Sequence, residues 1–136
     1  MKKIIAVLAF GLMLSGNASA QSYLCIAEAA GGVEYNSATK KFNGMGFAID
    51  SKHIIKKENN EWIYNKFGRK HYPWETCKEH IYKGIINGVT CQLLMGELYI
   101  AFQKLRYWTT YTPGFTVESA QEGNTPYIEV GSCSEI

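Results

Sequence analysis

Residues 98–111 read LYIAFQKLRYWTTY, and this stretch decides the fold class. In its first half, Leu98 and Ile100 alternate with Tyr99 and Ala101. In its second half, Tyr107 lies between Arg106 and Trp108, so that it alternates with them. A period of two is typical of a strand that has an inner and an outer face. The pattern therefore predicts two strands, with Arg106 and Trp108 on the outward face of the second.

Turn signals on both sides of this stretch predict further short strands. Gly31-Gly32, Asn43-Gly44 and Asn87-Gly88 are residue pairs that tolerate the positive φ of tight hairpin turns. Residues 58–61 are predicted to form a four-residue hairpin loop, and only residues 74–82 favour a short turn of helix. We therefore expect an all-β chain, a small antiparallel β-barrel or sandwich of about eight short strands with at most one short helix.

The N-terminus has the pattern of an export signal. Lys2 and Lys3 precede an apolar run over residues 4–14, and Ala18-Ser19-Ala20 is a small-x-small cleavage site. Cys25 follows Ser22-Tyr23-Leu24, which lacks the small residues that precede a lipid-modified cysteine. We expect a signal peptide over residues 1–20 and one disulfide-bonded β domain over residues 21–136. The mature protein is expected to be monomeric, without a membrane span, and periplasmic or secreted.

The charge balance excludes one class of partner. The chain carries a formal net charge of +2, but both lysines of the expected signal peptide contribute to it. The remaining chain is formally neutral, and a nucleic-acid-binding protein needs an excess of basic residues to neutralise phosphates. Residues 52–83 are nevertheless rich in lysine and arginine. This stretch is either an ordinary mixed surface or a basic face for an anionic envelope component.

Four cysteines follow the signal, and an even number in an exported chain implies two disulfides. Three pairings are possible, of which we favour Cys25–Cys133 and Cys77–Cys91. The first pair would join the first and last strands, which are neighbours in a closed sheet. The second would close a short local excursion.

The densest group of reactive side chains lies in residues 71–80. Cys77 and His80 have the spacing of metal ligands, and His71 is close in sequence. A disulfide from Cys77 to Cys91 would remove the thiolate, so we expect no metal and no cofactor. His71, His80 or His53 beside a glutamate would suit a general base, and a small periplasmic hydrolase is the alternative function. The serines lie in no Gly-x-Ser-x-Gly motif, and the sequence identifies no catalytic residue.

The aromatic residues favour a binding function over catalysis. Trp108 beside Arg106 is the most suggestive pair, and Trp74, His71 and His80 complete the candidate binding residues. Core packing is the alternative explanation for the aromatics, since β domains are rich in them. The sequence predicts a small exported binding or inhibitory protein that acts on an envelope protein or glycan.

A resemblance is carried by segments that cover most of the mature chain: residues 23–27, 62–68, 96–98, 105–107, 110–115 and 124–133. In these segments the chain resembles a group of short exported proteins of bacteria and phages, which have no assigned activity. The resemblance implies a common fold and export, and it supplies no catalytic residue. A phage-encoded factor that modifies the host envelope is therefore a further alternative. At the level of architecture the chain is also similar to small periplasmic barrels that inhibit lysozyme.

Overall fold

The computed structural model describes residues 21–69, 75–112 and 125–136. This part of the chain is all-β, and it contains no helix that is long and apolar enough to cross a bilayer. The nine strands are β1 (Ser22–Asn36), β2 (Lys41–Phe47), β3 (Lys52–Glu58), β4 (Glu61–Lys66), β5 (Cys77–Tyr82), β6 (Ile85–Leu93), β7 (Gly96–Ala101), β8 (Arg106–Tyr111) and β9 (Tyr127–Glu135).

Eight of the strands form a nearly closed antiparallel barrel. Their order is β4-β3-β1-β9-β8-β7-β6-β5, and β2 pairs with the second half of β1. The two end strands approach each other through side chains, because Glu79 of β5 accepts hydrogen bonds of 2.7 Å from Lys57 Nζ and Trp62 Nε1. The predicted all-β fold of about eight short strands is confirmed, and the structure selects the barrel.

The core follows the predicted alternation. Leu98 and Ile100 of β7 and Tyr107 of β8 are buried, while Trp108 is half-buried and Arg106 is exposed. Removing one face of each strand from water is the main stabilising contribution in a barrel of this size. The buried apolar side chains are Tyr23, Cys25, Ile55, Trp62, Tyr64, Val89, Cys91, Leu98, Ile100, Tyr107 and Cys133.

Two disulfides join directly opposed residues of neighbouring strands. Cys25 of β1 is bonded to Cys133 of β9, and Cys77 of β5 to Cys91 of β6, each with a Cα–Cα distance of 3.9 Å. This is the pairing that we favoured from the sequence. The first bond ties the first strand to the last, and the second holds the edge strand β5.

The predicted helical turn over residues 74–82 is wrong where the structure describes it. Residues from Cys77 to Tyr82 form β5, which pairs with β6 from Cys77↔Cys91 to Tyr82↔Ile85. The disulfide and the ladder to β6 are non-local, and they override a weak local preference for helix.

Three predicted turns lie inside strands instead. Gly31-Gly32 belongs to β1, Asn43-Gly44 to β2 and Asn87-Gly88 to β6. Gly88 is needed for close approach, since an added Cβ would lie 2.4 Å from the carbonyl oxygen of Ile100. The turn before β6 is at Lys83-Gly84, where φ is 51° and 77°.

The hairpin between β3 and β4 was predicted at the right place but with too long a loop. Its turn has two residues, Asn59 and Asn60, with φ of 48° and 70°. Two consecutive positive φ values characterise the type I′ turn, whose twist matches that of paired strands.

Candidate functional site

Three of the predicted binding residues lie on the outer face of the barrel. Tyr99 of β7 connects them, because its ring centroid is 5.6 Å from that of His80 and 5.9 Å from that of Trp108. Tyr99 and Trp108 are directly opposed in the β7–β8 ladder, and Arg106 lies on the same face of β8 as Trp108. We call His80, Tyr99, Arg106 and Trp108 the outer aromatic patch.

A glycine fixes the orientation of Tyr99 in this patch. The Tyr99 ring lies so close to Gly88 of β6 that a Cβ added to Gly88 would be 3.0 Å from Cε2 and from the hydroxyl oxygen of Tyr99. The ring therefore lies over bare backbone. An aromatic ring held in this way is a rigid platform, and binding to it requires little loss of side-chain entropy.

A groove of about 360 Å³ runs beside the patch. Tyr99, Arg106 and Trp108 line it on one side, and Val130 of β9 and Glu28 of β1 line it further along. Glu28 falls where the ladder between β1 and β9 shifts register, at a bulge between Ala27 and Ala29. Arg106 and Glu28 form no ion pair within the described part of the chain. The groove thus combines aromatic surface with one cationic and one anionic hydrogen-bonding group.

A second polar arrangement lies inside the barrel. His53 of β3 and Glu129 of β9 are 2 % and 1 % exposed, and His53 Nε2 donates a 2.6 Å hydrogen bond to Glu129 Oε1. The Tyr107 hydroxyl donates a hydrogen bond of 2.8 Å to the same oxygen, and His53 Nδ1 is hydrogen-bonded to the Tyr64 hydroxyl at 3.0 Å. We call these four residues the buried histidine cluster.

Hydrogen bonds decide the charge of this cluster. Burial raises the pKa of the Glu129 carboxyl, but hydrogen bonds from His53, Tyr107 and Ser51, with the charge of His53, outweigh it and hold that pKa below its usual range. Burial raises the pKa of the Tyr64 and Tyr107 hydroxyls far above 10. At neutral pH the barrel therefore encloses a carboxylate, and both tyrosines keep their protons.

Two cavities meet the cluster at one end of the barrel, which we call the barrel mouth. One, of about 300 Å³, is lined by His53, and the other, of about 360 Å³, by Glu129. Tyr111 and Tyr127 line both cavities, and their rings stack at a centroid distance of 5.4 Å.

The sequence analysis did not identify the pairing of His53 with Glu129, although a signal for it exists. Glu129 lies four residues before Cys133 in one strand, so the two side chains share a face. A cysteine expected to bond to the first strand must point inward, and Glu129 must then do the same. No local sequence pattern indicates that the side chain of His53 contacts that of Glu129.

Glu75 and Glu79 each have a separate basic partner. Glu75 is buried and forms an ion pair with Arg69, while Glu79 accepts hydrogen bonds from Lys57 and Trp62. These pairs also neutralise part of the basic stretch of residues 52–83. Among the described residues, no group of three or more histidine, cysteine or acidic side chains is arranged to hold a metal ion.

Of the predicted residues His71, Trp74 and His80, only His80 lies in the described part of the chain. His80 Nε2 is hydrogen-bonded to Thr90 Oγ1 at 2.6 Å, so its partner is a hydroxyl and not a carboxylate. His71 and Trp74 lie outside the described residues. The same is true of the expected signal peptide, residues 1–20.

Comparisons with protein-family models, with curated proteins and with solved structures found no match to this chain.

Proposed function

We propose that this is an exported binding protein that holds an envelope glycan on the outer aromatic patch and catalyses no reaction. The observation that carries the proposal is the Tyr99–Trp108 ring pair, held in place over Gly88. Aromatic rings offer a large apolar face to the C–H side of a sugar ring, and their polar edges tolerate contact with water. Binding to the patch would inhibit any enzyme that needs the same glycan.

The groove beside the patch supports a polyhydroxylated ligand. Arg106 would donate hydrogen bonds to sugar hydroxyls and Glu28 would accept them, and apolar side chains share the lining with both. Small-molecule sites typically combine such an apolar lining with a few placed polar groups. A concave groove of this size favours a sugar ring over the broad, flat surface of an envelope protein.

The disulfide bonds support export of the protein. Two disulfides and no free cysteine among the described residues suit an oxidising compartment. Together with the signal-peptide pattern of residues 1–20, this leads us to propose a periplasmic or secreted location. Membership of a group of exported bacterial and phage proteins remains a prediction.

The histidines favour binding over the alternative hydrolase. Both ring nitrogens of His53 are hydrogen-bonded within the buried histidine cluster, so neither is left to take a proton from water. His80 is oriented by Thr90 and not by a carboxylate. Among the described residues, no histidine that is paired with a glutamate has a ring nitrogen without a hydrogen-bond partner.

The test is binding to isolated cell-wall glycan. Protein expressed from its full sequence is incubated with peptidoglycan sacculi and, for affinity, titrated calorimetrically with soluble peptidoglycan fragments. We expect Trp108→Ala or Tyr99→Ala to weaken binding at least about tenfold, because each removes half of the ring pair. Arg106→Ala should weaken it less.

Tyr82→Ala is the matched control, since Tyr82 is an exposed aromatic residue on β5 that does not line the groove. It should bind as the wild type does. Equal affinity of the wild type and Trp108→Ala would contradict the proposal. So would the absence of glycan binding by a wild type that captures an envelope protein instead.

A further inference from the structure

We propose that the 300 Å³ cavity at the barrel mouth is a binding site for a small monocarboxylate with an apolar body. This cavity shares no residue with the groove of the outer aromatic patch. The inference is therefore independent of the proposed glycan binding.

One lysine gives the cavity its charge. Lys66 has the same strand parity as the buried Trp62 and Tyr64, so it projects from the inner face of β4 at the barrel mouth. It forms no ion pair within the described part of the chain.

The two other basic side chains of the described lining have acidic partners. Arg69 is paired with the buried carboxylate of Glu75, and His53 with that of Glu129. Lys66 is therefore the basic group of the described lining that has no acidic partner, and an anionic group is the complementary ligand.

The opposite part of the lining is apolar. Leu93, Leu94 and Met95 lie at the turn between β6 and β7, and Leu94 and Met95 are 64 % and 43 % exposed. Large apolar side chains left in water at the rim of a cavity would gain free energy if a ligand covered them. The stacked rings of Tyr111 and Tyr127 add a second apolar wall.

Size and charge together limit the ligand. A volume of about 300 Å³ is at the lower end of the range for small-molecule sites, which is roughly 300–1,000 Å³. One cation matches one carboxylate, and the volume allows a short alkyl chain or a single ring. The carboxylate would contact Lys66 Nζ while the apolar body packs against Leu94 and Met95.

Octanoate and octan-1-ol are the probes that test this site, because they share an alkyl chain and differ in charge. In calorimetric titrations of the full-length protein we expect saturable binding of one octanoate and at least tenfold weaker binding of octan-1-ol. Backbone amide NMR shifts should change first around Lys66 and Thr110. Octanoate affinity should fall as salt concentration rises.

Lys66→Met should lower octanoate affinity at least tenfold and remove the preference over octan-1-ol. Leu94→Ser should weaken both probes. Lys78→Met is the matched control, because Lys78 is an exposed lysine of β5 that does not line the cavity, and it should leave both affinities unchanged.

Three results would overturn the inference: no saturable octanoate binding, equal affinity for the two probes, or unchanged affinity in Lys66→Met. None of these results would contradict the proposed binding of a glycan to the outer aromatic patch. Trp108→Ala should bind octanoate normally, so the two proposals fail separately.

Discussion

Glu129 shows at the scale of single residues how a carboxylate is tolerated inside this barrel. An ionised group transferred from water to an apolar interior loses several kcal/mol unless other groups replace its hydration. His53 and Tyr107 both donate to Glu129 Oε1, and the hydrogen bond from Ser51 also lowers its pKa. The carboxylate is therefore a structural acceptor that fixes β3 and β8 relative to β9.

Replacing this acceptor should destabilise the fold strongly. We expect Glu129→Ala to lower the free energy of unfolding by about 3–5 kcal/mol, because His53 and Tyr107 are left buried without their partner. Glu34→Ala is the control, since Glu34 is exposed on β1, and it should change stability by less than about 0.5 kcal/mol. Urea denaturation without reductant measures both. A cost below about 1 kcal/mol for Glu129→Ala would contradict this role.

Gly88 is the second residue whose identity the packing dictates. In Gly88→Ala the added Cβ would meet the carbonyl oxygen of Ile100 and the ring of Tyr99, so we expect a loss of about 1–3 kcal/mol. The emission of Trp108 should also change, because its neighbour Tyr99 is displaced. Gly44→Ala places its Cβ in open space and is the matched control. Equal denaturation midpoints for the two variants would show that Tyr99 is not seated on Gly88.

Strand β5 is one of the two ends of the barrel order, so it has a hydrogen-bonded neighbour on one side only. It is held by the ladder to β6, by the Cys77–Cys91 bond and by the hydrogen bonds of Glu79 with Lys57 of β3 and Trp62 of β4. An edge strand with so few partners opens more readily than the central strands.

The two disulfides should differ in their effect on stability. Cys25 and Cys133 are 108 residues apart and Cys77 and Cys91 are 14 apart, so loop-closure entropy predicts a stabilisation of about 4.7 and about 3 kcal/mol respectively. We therefore expect the serine double variant of the first pair to unfold at lower denaturant concentration.

Hydrogen exchange distinguishes the local effect of the second pair. Replacing Cys77 and Cys91 with serine should speed amide exchange mainly in β5, whereas replacing Cys25 and Cys133 should affect the whole barrel. Unchanged protection of β5 after loss of its disulfide would show that this bond does not support the edge strand.

The pH dependence of stability belongs to the whole molecule. The pKa values of Glu129 and Glu79 lie below the usual value of 4.5 in the folded state. Their stabilising contribution is present above that pH and is lost as the pH falls towards the folded values. The pKa values of Tyr64 and Tyr107 are raised, so their contribution is lost as the pH rises above 10.

We therefore expect a stability plateau that declines below about pH 4.5 and above about pH 10. Denaturant titrations across this range measure it. Glu129→Gln should be less stable at neutral pH and should show a shallower decline in acid, because it has no carboxylate to protonate. If the stability of Glu129→Gln declined in acid as steeply as that of the wild type, protonation of Glu129 would be excluded as a main cause of the decline.

The sequence by itself determined the strands within residues 98–111 and the direction of their side chains. Residues 98–111 were placed correctly, because the alternation of polar and apolar residues is a local property that depends on which face meets water. The favoured cysteine pairing was also reached from chain order alone.

Only the tertiary structure decided where the chain turns and which polar residues meet. Gly88 looks like a turn residue, yet it serves the packing of Tyr99, which comes from another strand. His53 and Glu129 are 76 residues apart, and barrel closure sets them 2.6 Å from each other. Register and closure arise from pairing between distant strands, and local periodicity carries no information about which strands those are.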